Sequence, residues 1–114
     1  MSENVSEKVY LIDAWENHRW GWKRVKDMNV HTVIGYESIY YVENSKIYLA
    51  KFKQTISLSR INNKCRDIHH QGRWIVKECD ASVKNVILKN AKEIKQVPED
   101  DHFLYQFLDV INKH

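Results

Sequence analysis

With 114 residues, the chain has the length of a single domain, 1–114, and can bury roughly two thirds of the surface it exposes unfolded without needing a staple. Hydrophobic residues make up 43% and charged residues 29%, too apolar a balance for disorder, and three glycines and one proline argue against a linker-rich chain. Eighteen basic against fifteen acidic residues leave a net charge of +3, enough for a local basic patch but not for coating nucleic acid through bulk charge.

The first eight residues lack the basic start and apolar run of a signal peptide, and no apolar run approaches the ~20 residues a bilayer span needs. The expectation is a cytoplasmic protein without membrane contact, whose two cysteines, Cys65 and Cys79, stay reduced. Residues 9–12 read as a short strand. From Ile12 to Met28, the residues Ile12, Trp15, Arg19, Trp22 and Val25 fit one helical face, at a cost of about 1 kcal/mol for the interior Gly21. Residues 30–36 read as a strand. Residues 38–42 and 46–52 are β-branched and aromatic, and Glu43, Asn44 and Ser45 between them have the chemistry of a hairpin turn.

Residues 54–59 alternate polar and apolar at the period of a half-buried strand. Residues 61–72 break all periodicity and are expected to form the longest loop. Residues 73–79 are a further strand candidate. In 83–97, Val83, Val86, Ile87, Ala91 and Ile94 fit a helical stripe, while Lys89-Asn90 could turn two strands; Asn85 and Asn90 are weak helix formers, so strands are expected. From Pro98 to Lys113, the apolar residues Phe103, Leu104, Phe107, Leu108, Val110 and Ile111 share one helical face, with Pro98 suited to the first turn and Glu99, Asp100 and Asp101 to the positive end of the helix dipole. These elements predict an α+β fold: a mostly antiparallel β-sheet with a C-terminal amphipathic helix packed on one face.

For function, the densest signal runs from Trp15 to Lys26. It holds three of the four tryptophans, and its cations meet no acid between Glu16 and Asp27. On a binding surface, Arg19, Trp20, Trp22, Lys23 and Arg24 would serve as anchors, with Arg66, His69, His70 and Arg73 as a second set. The competing explanation is that the tryptophans build the core and the cations are a solvated face; two tryptophans one residue apart point the same way on a strand. Tyr36, Tyr40, Tyr41 and Tyr48 similarly suit either a recognition rim or strand packing.

Cys65, His69, His70 and Cys79 match a zinc ligand set in kind but lack the usual knuckle spacing, and as nucleophile and base they lack any flanking signature. Isolated glycines provide no phosphate-binding loop. No cofactor, metal or catalytic residue is expected. The reading reached is a small non-enzymatic binding protein that inhibits, adapts or regulates a protein partner. Its richness in Lys, Asn and Ile points to a low-GC genome such as that of a Firmicute or an AT-rich phage, and an accessory protein of a phage or mobile element would fit. Nucleic-acid binding through the same Trp/Arg/Lys surface is the alternative, and a His/Cys-dependent nuclease or zinc protein the second alternative. Nothing in the sequence argues against a homodimer.

Overall fold

The computed structural model describes residues 8–25 and 29–113; within these, the side chains of residues 19–25 and 29–34 fall outside the description. Seven strands form one sheet: β1 (Val9–Ala14), β2 (His18–Val25), β3 (Asn29–Glu43), β4 (Lys46–Ser57), β5 (Cys65–Gln71), β6 (Trp74–Cys79) and β7 (Ala91–Gln96). Their spatial order is β5-β6-β1-β3-β4-β7, with β2 also paired to β3, and every described pairing is antiparallel. Four short helices complete the fold: α1 (Ser59–Asn62), α2 (Ser82–Asn90), α3 (His102–Tyr105) and α4 (Phe107–Asn112). The α+β expectation holds at this level.

Strand alternation sorts the core into two layers. Val9, Leu11, Tyr36, Ile39, Tyr41, Ala50 and Phe52 pack with Ile61 of α1 and with Val83 and Ile87 of α2. The intervening positions, Ile12, Val42, Ile47 and Val76, pack with Leu104, Phe107 and Ile111 of α3 and α4. Both faces are therefore covered, not one. The tyrosines behave as packing residues in part: Tyr36 is fully buried and Tyr41 nearly so, while Tyr40 and Tyr48 are partly buried.

The expected hairpin forms between Glu43 and Lys46, where Asn44 (φ 52°) and Ser45 (φ 61°) are both left-handed, as a two-residue turn matched to strand twist requires. The strands run further than expected. The readings for 30–36 and 38–42 merge into β3, and that for 46–52 merges into β4 with the first part of that for 54–59, across a register shift between Tyr36 and Ser38; β4 ends at Ser57, and Ser59 already begins α1.

Four expectations are corrected. The helical alternative over 12–28 reduces to a 3-10 turn at Trp15–Asn17 followed by β2, with residues 26–28 outside the described residues. The expected loop at 61–72 contains the end of α1 and the strand β5; a bulge between Asp67 and His69 shifts the alternation and hides it. The expected strand at 83–88 is the helix α2, because Val83 and Ile87, one turn apart, bury completely on the sheet. The C-terminal helix is two short pieces meeting at Gln106, and it starts after Pro98: Asp101 caps α3, its carboxylate accepting from the Leu104 amide at 3.1 Å.

The cysteine expectation is overturned as well. Register places Cys65 directly opposite Cys79 on β5 and β6, and the two are joined as a disulfide. It closes the end of the hairpin away from the Gln71–Trp74 turn, where Gly72 takes a φ of 61° that a side chain would strain. No helix among the described residues is long and apolar enough to cross a membrane.

Candidate binding ribbon and its buried anchor

β3 is 15 residues long, and its two halves have different partners. The C-terminal half lies between β1 and β4; from Asn29 to Ile34 it pairs only with β2 among the described residues. The first half of β3 and β2 thus form a two-stranded ribbon continuing out of the sheet. Arg19, Trp20, Trp22, Lys23 and Arg24 all lie on β2, opposite Gly35, Ile34, Thr32, His31 and Val30 in turn, with side chains outside the described residues. The ribbon leaves the sheet at Gly35, where a Cβ would stand 2.5 Å from the Ile56 carbonyl oxygen of β4. Only glycine fits that close approach.

A buried polar cluster anchors the root of the ribbon. Asp13, 3% exposed, continues the inward phase of Val9 and Leu11 on β1. Its carboxylate lies 2.9 Å from His18 Nε2 through one oxygen and accepts from the Tyr36 hydroxyl at 2.9 Å through the other. Tyr36 also meets the Asn62 side chain of α1 at 3.1 Å. Burial, followed by the neighbouring Asp13 charge, pushes the Tyr36 phenol far above its ordinary value, so it stays a neutral donor. His18 Nδ1 is buried with no hydrogen-bond partner. With the proton on Nε2 facing Asp13, Nδ1 is a bare acceptor, the less costly way to leave that atom unpaired.

Sequence reading missed this cluster because its members are 5, 23 and 26 residues apart along the chain. The signal available was Asp13 itself, an acid at the inward phase of an apolar strand. The cluster ties β1, β2, β3 and α1 together through side-chain hydrogen bonds.

The second set of predicted residues lies on the β5–β6 hairpin, in different settings. Arg66 Nε donates to Glu78 Oε1 at 2.8 Å, and that carboxylate also meets Lys8 at 3.7 Å and the Tyr10 hydroxyl at 3.3 Å. The Arg66 hydrogen bond is the main cause holding the Glu78 carboxyl below its usual range. His69 packs its ring against Phe107 at 6.1 Å, whereas His70 is exposed opposite Ile75. Arg73 is exposed, and its carbonyl accepts from the Trp15 amide at 3.4 Å.

The structure thereby brings Arg73 beside the root of the ribbon. Trp15 is 48% exposed with its ring 4.8 Å from that of His18; Phe103, 45% exposed, stands 5.2 Å from Trp74. Cys65, His69, His70 and Cys79 do not converge: the sulfurs are bonded to each other and the histidines occupy successive strand positions. Among the described residues, no group of three or more His, Cys, Asp or Glu side chains is placed to hold a metal ion. No known protein family, curated protein or solved structure matches this chain.

Proposed function

We propose that the protein is a non-enzymatic binding protein that acts on a protein partner as an inhibitor, adaptor or regulator, with the β2 ribbon as its contact. The observation that carries this reading is the open edge of β2, which among the described residues pairs only with β3. An unpaired strand edge presents amides and carbonyls that a second extended chain can complete. A two-stranded ribbon is marginal in water alone, and a docked partner supplies the missing cover. The edge strand carries Trp20, Trp22 and Arg24, residue types that anchor interfaces, and half-exposed Trp15 flanks it. Occlusion of the partner's own site is the mechanism, and an accessory protein of a phage or mobile element is the setting that suits so small a chain.

Affinity capture from host lysate tests this directly. The wild-type protein should retain one partner, and Trp20→Ala with Arg24→Ala should weaken that capture by about 30-fold with an unchanged melting temperature. Equal capture by both proteins would place the contact elsewhere, and loss of the fold would return the tryptophans to the core. The cytoplasmic location belongs to the same proposal. The closed Cys65–Cys79 pair makes that location testable: a thiol count on freshly lysed cells that finds the disulfide intact would place the protein in an oxidising compartment, and one that finds both thiols free would support the cytoplasm.

A further inference from the structure

A hollow of about 500 Å³ lies away from the ribbon, between α1 and α2. Arg60, Asn63 and Lys64 border it from α1 and the residues just after it, and Asn85, Lys89 and Asn90 border it from α2. Among the described residues, no carboxylate lines it. Elsewhere, Arg66, Lys77, Lys84 and Lys95 are held by Glu78, Asp67, Glu43 and Glu93. Arg60, Lys64 and Lys89 are in no ion pair among the described residues, although Asp80 feels the charge of Lys64. Three cations outside any described ion pair, gathered around one concavity, attract a polyanion.

The remaining lining narrows the choice. Asn63 and Asn85 are exposed carboxamides able to donate to phosphate oxygens, while Asn90 gives one of its two amide N–H groups to the Val86 carbonyl at 2.7 Å. Among the described residues no aromatic ring lines the groove, so these residues offer no platform on which unpaired bases could stack, as single-strand binders require. Asn85 and Lys89 are neighbours one turn apart on α2, and Arg60 and Lys64 border the same hollow from α1 and the turn after it. We infer that the α1–α2 groove binds the sugar–phosphate backbone of a double-stranded nucleic acid, independently of sequence and of the ribbon.

Fluorescence anisotropy of labelled DNA and RNA duplexes, titrated with the full chain over a salt series, tests this. Three phosphate contacts give a log–log salt slope of about −2.7, so affinity should fall about 40-fold between about 50 mM and about 200 mM salt. Arg60→Ala, Lys64→Ala and Lys89→Ala should each flatten the slope by about 0.9, while charge-keeping Lys64→Arg should leave it unchanged. All three side chains are exposed, so these single variants should fold normally.

A parallel Lys23→Ala with Arg24→Ala variant separates this surface from the ribbon and should leave the slope intact. The tighter of the two duplexes identifies the source of the backbone. The inference is overturned by the absence of duplex binding at low salt, by a slope that none of the groove substitutions alters, or by a slope lost only with the ribbon variant. Tighter binding to a single strand than to either duplex would also overturn it.

Discussion

On the side of α2, the sheet buries an acid, a histidine and a phenol in one hydrogen-bonded cluster, and it also buries Lys77, held by Asp67 at 2.8 Å. On the side of α3 and α4, rings meet rings: Trp74 lies 5.2 Å from Phe103 and 6.1 Å from Phe107, which also faces His69. The polar side spends stability on groups that must all find partners, and in return it fixes where β2 leaves the sheet. The aromatic side gains stability through buried volume and shape. Damage on the first should appear as loss of definition at the ribbon root, and damage on the second as loss of global stability.

Phe107→Ala tests the aromatic side most severely. Emptying that fully buried site should cost about 3–5 kcal/mol in denaturant unfolding, with unchanged duplex binding in the α1–α2 groove before unfolding. A loss below about 1 kcal/mol would mean that the rings are not the main support of this face. Opening the Cys65–Cys79 bond, with reductant or by Cys65→Ser with Cys79→Ser, should cost about 3 kcal/mol for the 14-residue separation it closes, measured by melting with and without reductant.

Tyr36→Phe strikes the polar side. It leaves Asp13 and Asn62 each short of a partner and should cost about 1–3 kcal/mol, with amide exchange quickening at β2 before it does at β6. Uniform quickening would erase the distinction between the faces. Because the folded state holds the Tyr36 phenol protonated far above its ordinary value, its contribution is complete below pH 10.0 and is lost as pH rises beyond that.

The smallest effect lies at the rim. The folded state holds the Glu78 carboxyl below its ordinary 4.5, so its contribution is complete above that pH and is lost as acid protonates it. Arg66→Ala should remove about 1 kcal/mol or less of stability and flatten that acid-side decline in a pH series of melting curves.

Much of this architecture was legible. The β3–β4 hairpin could be read because its strands are β-branched and aromatic and its turn residues tolerate left-handed φ. The C-terminal stripe could be read because period alone fixes its inward face, although not the break at Gln106. Helix α2 was misread because Asn85 and Asn90 argue locally against a helix, whereas the burial of Val83 and Ile87 decides the matter globally. Asn90 proves to be its last residue, its amide returned to the Val86 carbonyl. The ribbon residues could be singled out by composition, but the anchor beneath them could not. Asp13, His18, Tyr36 and Asn62 meet only once four elements are assembled, as do the cations of the α1–α2 groove.

The position of β1 also sets the order of assembly. It is the first strand of the sheet in the chain, yet it sits between β3 and β6, and its full register with β6, from Val9↔Cys79 to Ala14↔Trp74, spans more than half the sequence. The β3–β4 hairpin closes locally and early, whereas β1 completes its second ladder only after residue 79 has been made. Refolding should therefore be governed by this long-range closure rather than by the helices, in the slower regime of non-local β-topologies.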